Sequence, residues 1–594
     1  MSDFDLTPHP ETLRQYALLA DGHRGALLGP RGDVAFLCAP RWHDDAVFSD
    51  LLGGRGTYVV RPTSDRFVWG GSYEPGSLIW RSRWVVGPDL VESRETLAFP
   101  GDRDRVVLVR RIEATRGRVE VGVHLDCRTG FGSEAMRLRP ERDGVWSGRT
   151  GDLYLRWSGA PARADRVDGG AGAVAGALTL EEGARHDLVL EISRHPLEDD
   201  LPDPDQLWRV TEDAWRRAVP TGRDSLAPRD AEHSWAVLRG LTTPEGAMVA
   251  AATTSLPERA EQGRDYDYRY AWIRDQCFVG HAMARAGGGE LLESAVHFVR
   301  DRLLDDGSRL VPAYTVDGDP VPDQRTLDLP GYPGAPDVRA GNQVRGQLQL
   351  DAFGEALLLF AAADELDVLD ADGWRAAEAA VAAVVERGGE PDAGIWEVDD
   401  RRWAHSRLMC VAGLRAVAKR RPARAAEWSS LADRILTDTD RDCLHPDGRW
   451  QRSPDDEAVD ASLLLPALRG ALPADDPRSV RTWRAVIDDL TDDGYVYRFR
   501  QQPGPLHDAE GAFLLCGFHL ALASHQQGDA YGAVRWFERN RGALGPPGLF
   551  TEEFDVVQRQ LRGNLPQAFV HALLIETAHT LTDDIPGRAH EKGF

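Results

Sequence analysis

The hydrophobic pattern of this chain changes period once, near residue 230. Before that point apolar residues come in short β-rich runs, such as Asp33-Val34-Ala35-Phe36-Leu37-Cys38 and Val119-Glu120-Val121-Gly122-Val123-His124-Leu125. Other runs alternate polar and apolar, as in Asp152-Leu153-Tyr154-Leu155-Arg156-Trp157 and Asp187-Leu188-Val189-Leu190-Glu191-Ile192. Many short strands separated by Gly, Pro and Asp turns predict an antiparallel β-sandwich. After residue 230 the stripe becomes helical: Leu291, Leu292, Ala295, Val296, Val299 and Leu303 fall on one face. About twelve such segments follow, near 230–241, 275–287, 290–304, 347–366, 373–388, 405–420, 422–438, 458–472, 477–490, 510–527, 529–541 and 565–582. Long irregular stretches at 305–346, 389–404, 491–509 and 542–564 interrupt alternate pairs. Six helical hairpins joined in this way predict an (α/α)6 barrel whose long loops gather at one end and carry function. A helical solenoid is the rival, but no motif of fixed period recurs.

The expected organisation is a sandwich over 1–205, a linker or helical connection over 206–229, and a barrel over 230–594. A chain of 594 residues is too long for one ordinary core. The net charge of −25 argues against nucleic acid or an anionic membrane as partner, and fits an enzyme for a neutral substrate. The six cysteines, Cys38, Cys127, Cys277, Cys410, Cys443 and Cys516, are scattered through apolar runs and read as reduced core thiols. No metal-ligand spacing occurs among the 17 histidines, and no cofactor is expected. Gly169–Gly176 lacks the spacing of a nucleotide loop and reads as a flexible loop. The acidic start Met1-Ser2-Asp3-Phe4-Asp5 has no apolar leader, so a cytoplasmic location is expected. Oligomeric state is left open, with room for a homo-oligomer.

Two glutamates sit in apolar, aromatic company: Glu397 in Gly394-Ile395-Trp396-Glu397-Val398, and Glu552 in Gly548-Leu549-Phe550-Thr551-Glu552-Glu553-Phe554-Asp555. Both lie in the long loops between hairpins. A carboxyl against an aromatic ring is desolvated and becomes a general acid near neutral pH, while an ionised partner activates water; this pairing hydrolyses glycosides. A third segment, Tyr266-Asp267-Tyr268-Arg269-Tyr270-Ala271-Trp272-Ile273-Arg274-Asp275, joins aromatic platforms to an Arg-Asp pair suited to vicinal sugar hydroxyls. The bland alternative for Arg274 and Asp275 is an ion pair at a helix start. A fourth, Tyr495-Val496-Tyr497-Arg498, precedes Glu510-Gly511-Ala512-Phe513. Gly563-Asn564-Leu565-Pro566 would turn into the last helix with Pro566 in its first turn. Seventeen tryptophans could stack sugars, although burial in cores is their commoner use.

Together with Tyr16–Asp21, Leu37–Arg41, Thr253-Thr254-Ser255-Leu256-Pro257-Glu258, Leu329–Tyr332 and Gln347–Asp351, these segments resemble bacterial members of glycoside hydrolase family 15, which holds glucoamylases, glucodextranases and a branch of trehalases. The resemblance spans nearly the whole chain. It implies Glu397 as general acid, Glu552 as general base, and Arg274 with Asp275 as the holders of the non-reducing-end glucose. Arg498 matches a second arginine there, and Trp272, Trp396 and Tyr268 match walls of the pocket. In the family mechanism water attacks opposite the leaving group, so the two carboxyls should stand about 6.5–9.5 Å apart. Trp396 is expected to desolvate Glu397; Glu553 is the rival base, ranked second because neighbours in an extended loop point apart. Tyr266 and Ala271 stand where the family often has tryptophan and cysteine, and Asp399-Asp400 where it is often basic; these differences bear on substrate rather than reaction.

The expected activity is inverting, exo-acting hydrolysis of short α-glucosides, malto- or isomalto-oligosaccharides or a similar disaccharide, with α,α-trehalose hydrolysis as the alternative. A phosphorylase, which needs no base carboxylate, and a non-catalytic sugar-binding protein on the same fold are the rivals.

Overall fold

The computed structural model describes all residues except 1–9, 143, 168–171, 199, 223, 260–263, 336 and 585–594. Ala17 to Ser193 form two eight-stranded antiparallel sheets. Every β-rich run singled out in the sequence is a strand. Of the Gly169–Gly176 segment, 169–171 lie outside the described residues, and Val174 opens the strand Val174–Leu180 rather than continuing a loop.

The inner faces of the sheets enclose one core, with Trp80, Trp84, Trp157, Val123, Leu125 and Ile192 in it. Its charged centre is Arg110, fully buried, which donates to Glu95 and to the carbonyls of Tyr58 and Gly32. Over its first three strands, Ala17–Ala20, Gly25–Leu28 and Asp33–Cys38, the other face of the first sheet does not meet water. Leu18, Ala20, Leu27, Phe36 and Trp42 belong to a second core that continues without a break into the helices.

The helices form an (α/α)6 barrel. An inner ring consists of Ile273–Arg285, Asp351–Glu365, Ala404–Arg420, the short pair Ala461–Leu464 and Leu465–Leu468, Leu514–Gln526 and Ala568–Thr580. Each contacts the next, and the last returns to the first. These segments are apolar on nearly every side because neighbours surround them; Leu514–Gln526 and Ala568–Thr580 bury almost every residue. The outer ring, Pro228–Leu241, Glu290–Asp306, Ala371–Arg387, Ala425–Cys443, Pro477–Leu490 and Ala530–Arg541, faces water on one side. Pro228–Leu241 also packs against the first sheet strand, Ala17–Ala20.

Two glycines let the inner helices Asp351–Glu365 and Ala404–Arg420 approach closely. A Cβ on Gly354 would lie 2.5 Å from the Met409 backbone, and one on Gly413 2.5 Å from the Gly354 carbonyl oxygen.

Several sequence boundaries shift. The segment 458–472 holds two short helical pieces in place of one long helix, the first starting at Asp460, whose side chain accepts the Ser462 N–H, and the second carrying Pro466 in its first turn. The 347–366 segment begins its helix at Asp351, and 510–527 at Leu514 after the strand Ala512–Phe513. Pro566 precedes the Gln567 cap of the last helix instead of occupying its first turn. The expected connection over 206–229 opens within a helix, Pro204–Ala218, capped by Asp203.

Arg269 is a buried tie between sandwich and barrel, beside surface pairs such as Arg103–Asp317 and Arg325–Asp45. Its guanidinium donates to Cys38 Sγ at 3.1 Å, to the Trp42 carbonyl at 3.3 Å and to the Asp44 carbonyl at 2.8 Å, all on the sandwich side. It also pairs with Asp267, at 2.9 and 2.6 Å. Asp267 in turn accepts the Gly341 N–H at 2.9 Å. Arg269 and Asp267 are both essentially inaccessible. Arg269→Ala leaves the Asp267 carboxylate buried without its cation, and the expected loss is about 3–5 kcal/mol, read from urea unfolding followed by tryptophan fluorescence. A loss below about 1 kcal/mol would show that Arg269 does not hold the two halves together.

Candidate active site

At the loop end of the barrel a cavity of about 960 Å³ opens, lined by Glu258, Tyr268, Trp272, Arg274, Asp275, Trp396, Glu397, Arg498 and Glu552 among others. All eight residues singled out from the sequence therefore meet in one place, although Glu397 and Glu552 come from different loops. The lining residues come from the barrel part of the chain, Ala250 to Phe569.

Glu397 sits at φ +53°, a left-handed conformation that side chains other than glycine rarely adopt and that clusters at functional sites. The turn directs its carboxyl away from the preceding ring. Its Oε1 accepts three N–H donors: Gln349 Nε2 at 2.7 Å, Trp272 Nε1 at 3.2 Å and Arg274 at 3.4 Å. The indole that meets Glu397 by hydrogen bond is thus Trp272, where the sequence pointed to its neighbour Trp396. Trp396 gives its own Nε1–H to Asp460, at 2.9 and 3.1 Å, and sets its ring edge-on to Phe513.

Arg274 is an ion-pair hub. It donates to Gln349 Oε1 at 2.7 Å and to Asp351 at 3.2 Å as well as to Glu397. Its strongest carboxylate partner is Asp351 rather than the adjacent Asp275. Asp275 lies in the first turn of Ile273–Arg285, buried, with Oδ1 free of any hydrogen-bond partner among the described residues. Burial pushes its carboxyl up to about 7, with Arg274 opposing and Glu397 reinforcing the shift.

Glu552 stands opposite. Its Oε2 accepts the Tyr268 hydroxyl at 3.0 Å, and its backbone carbonyl accepts the Leu514 N–H at 2.9 Å. Burial raises its carboxyl well above the usual range; the neighbouring Glu258 adds to this and Arg498 opposes it. Glu553 is turned the other way. It belongs to the strand Glu553–Asp555, is wholly inaccessible, and accepts the Gly511 N–H at 2.9 Å. Arg498 pairs with Glu510 at 2.8 Å and lies over the Phe513 ring.

Tyr268 and Trp272 are the link between the two carboxyls. Their rings meet edge-to-face, 5.6 Å apart, one holding Glu552 and the other Glu397. Main-chain bonds from Ala250 and Ala251 to the carbonyls of Tyr270 and Tyr268 fix the segment, and Ala271–Trp272 pairs with Ala313–Tyr314. Gln349, Asp351, Glu258 and Asp460 were not assigned roles from the sequence. The first three lie within quoted segments, so a signal existed; Asp460 had none. Among the described residues no cluster of His, Cys, Asp and Glu could hold a metal ion, and no helix is long and apolar enough to cross a membrane. All six cysteines are free and buried.

An (α/α)6 barrel whose loop-end cavity gathers two glutamates with a buried arginine and aspartate is an arrangement suited to glycoside hydrolysis. Comparison with known proteins gives the family. The family model described as Glycosyl hydrolases family 15 matches residues 237–579, and one described as Trehalase-like, N-terminal matches residues 7–193. The chain belongs to glycosyl hydrolase family 15 and is a glycoside hydrolase acting on carbohydrate. Similar proteins include one named Trehalase from Mycobacterium tuberculosis (strain ATCC 25618 / H37Rv), 30% identical over 95% of this chain and 88% of that protein. Another, named Trehalase, from Mycolicibacterium smegmatis (strain ATCC 700084 / mc(2)155), is 31% identical over 95% and 90%. The crystal structure of a bacterial glucoamylase complexed with acarbose superimposes with a TM-score of 0.70, covering 98% of this chain and 96% of its own, at 14% identity. At that identity the likeness concerns the fold.

The raised Asp275 carboxyl has a consequence for stability. Its folded value of about 7 lies above the unfolded one, so the folded state holds the proton more tightly between the two, and stability falls as pH rises through that window. Asp275→Asn should therefore be more stable than wild type at pH 7.5, by an order of ~2 kcal/mol, with no gain at pH 4, while sugar affinity falls. Equal melting temperatures at pH 7.5 would count against the buried-carboxyl assignment.

Proposed function

We propose that the protein hydrolyses α,α-trehalose to two glucose molecules with inversion at one anomeric carbon, using Glu397 as general acid and Glu552 as general base. The observation that carries the roles is the aromatic pair: Trp272 donates to Glu397 and Tyr268 donates to Glu552, so adjacent rings set two carboxyls on one cavity. The three N–H donors on Glu397 all meet Oε1, which leaves Oε2 as the oxygen to carry the proton for the glycosidic oxygen. Arg274 and Asp275 then grip hydroxyls of the glucose being cleaved. Glu552 takes a proton from water as its oxygen bonds to the anomeric carbon; the bond to the leaving glucose breaks as Glu397 gives up its proton.

The choice of trehalose rests on the relatives named Trehalase, which align along 95% of the chain. A third, Trehalase 1 of Sulfolobus acidocaldarius, does so at 30% identity over 98% of its own length. The wider expectation from the sequence, short malto- or isomalto-oligosaccharides, has only membership of the family behind it.

Trehalose carries two α-anomeric carbons. Inversion at the attacked carbon gives β-glucose, and the leaving glucose keeps its α configuration. Proton NMR during early turnover should show α- and β-glucose in equal amounts; α-glucose alone would mean retention. Trehalose should be turned over faster than maltose, isomaltose, kojibiose or nigerose, and the reverse order would return the reading to oligosaccharides. Glu397→Gln and Glu552→Gln should each lower kcat by about 10²–10⁴-fold. Wild-type rates in either variant would remove that residue from its role.

A further inference from the structure

Glu258 ends the segment Thr253–Glu258, lines the cavity with Glu552, and is 7% exposed. The loop around it is built with care. Ser255, at φ +58°, gives its hydroxyl to the Arg339 carbonyl and accepts the Arg339 N–H at 2.7 Å. The Pro257 carbonyl accepts the Gly563 N–H at 3.0 Å, which ties the loop to the segment following Glu552. The result is a second carboxyl aimed at the Tyr268 hydroxyl: Oη lies 3.2 Å from Glu258 Oε1 and 3.0 Å from Glu552 Oε2.

A phenol has one proton. Shared between two carboxylates it makes two weakened bonds and leaves two like charges side by side; given to one, it makes a full bond only there. The other contact becomes a full hydrogen bond when that carboxyl is protonated and donates to the phenol oxygen. Two full bonds take two protons among three groups, one on Tyr268 and one on a carboxyl. The surroundings favour keeping that second proton. Arg498 and Arg264 are the cations facing this group, and both make their ion pairs with Glu510, at 2.8 and 3.5 Å. Glu510, Glu553 and Asp275 add negative charge around them, and Tyr266 faces Glu258 as a neutral phenol. Burial raises Glu258 to about 7 and Glu552 to about 8, and the nearby carboxylates add to both, so the pair shares a proton near neutrality; which of the two holds it is assigned by the base role of Glu552 and not by these shifts, which lean the other way.

We propose that Glu258 is the proton-holding partner of Glu552: protonated, it donates to the Tyr268 oxygen, turns the phenol proton toward Glu552, and so keeps Glu552 ionised as the base. In the opposite arrangement Glu552 holds the proton, the phenol turns to Glu258, and the base is unavailable. Glu258 is a positioning residue; it acts on water only through Tyr268 and Glu552. The inference rests on the reading of Glu552 as base.

The test is the pH profile of kcat/KM on trehalose. The acidic limb reports protonation of the base. In Glu258→Gln the amide N–H can donate permanently to Tyr268, and one negative charge is gone. The limb should move to lower pH by about one unit or more, the scale on which coupled carboxyls separate. Glu258→Ala should lower kcat further than Glu258→Gln, because the amide replaces the lost donor and methyl does not. A limb that stays in place, with activity reduced equally at every pH, would reduce Glu258 to a structural residue and overturn the proposal. A second readout needs no turnover. The infrared difference between wild type and Glu258→Gln at pH 7 should show a protonated-carboxyl band lost from the variant; absence of the band also overturns it. Failure of the base assignment is separate: full activity in Glu552→Gln removes that role while the infrared band persists in wild type.

Discussion

Arg269 is the residue on which the geometry of the site depends. It lies between Tyr268, which holds Glu552, and Trp272, which holds Glu397. Its own side chain leaves the barrel and ends on Cys38 and on the carbonyls of Trp42 and Asp44. A guanidinium has five donors in a rigid fork, and here the fork is filled from two sides by sulfur, carbonyls and a carboxylate. The segment that carries both aromatic rings is therefore anchored from behind. Because the first sheet shares its core with the barrel, the anchor itself cannot shift without disturbing that packing.

On the cavity side carboxyls outnumber cations. Glu258, Asp275, Glu397 and Glu552 line it together with Arg264, Arg274 and Arg498, and those cations are already committed to Glu510, Asp351 and Glu397. In the proposed roles Glu397 and Glu258 carry protons, and Glu552 is the carboxylate left ionised. Positive charge develops on the sugar ring as the glycosidic bond breaks, and a fixed carboxylate stabilises that state more than the ground state. The crowding raises Glu258 and Glu552 together, so the site balances its own protonation among neighbours. Burial alone would leave each group to titrate by itself; hydrogen bonds through Tyr268 and Gln349 make the groups interdependent.

Much of this was legible in the chain. The change of hydrophobic period located the sandwich and the barrel, because apolar spacing is a local consequence of which face is buried. Glu397, Glu552, Arg274 and Asp275 could be singled out because each stands in a short segment of unusual composition. What escaped were relations between segments. Trp396 was the obvious partner for Glu397 by adjacency, yet the left-handed turn at Glu397 sends the carboxyl to Trp272, 125 positions away. Asp351 and Gln349 hold Arg274 from a different hairpin. The break at Asp460 and Pro466 was hidden by an apolar run that reads as one continuous helix. Local pattern reports burial; it does not report which distant group fills a hydrogen bond.

The cavity lining includes no sandwich residue, yet Arg269 makes the sandwich part of the tool that shapes it. Domain exchange is constrained accordingly. A foreign β-sandwich grafted onto this barrel would have to present two backbone carbonyls and a soft acceptor at the places of Trp42, Asp44 and Cys38, whatever its own sequence. Without them the graft could fold and still hold its aromatic segment off by enough to misalign the two carboxyls. Lineages that recombine such modules should thus inherit the two halves as a matched pair, and an engineer should choose crossover points that leave Cys38 to Asp44 with the barrel they serve.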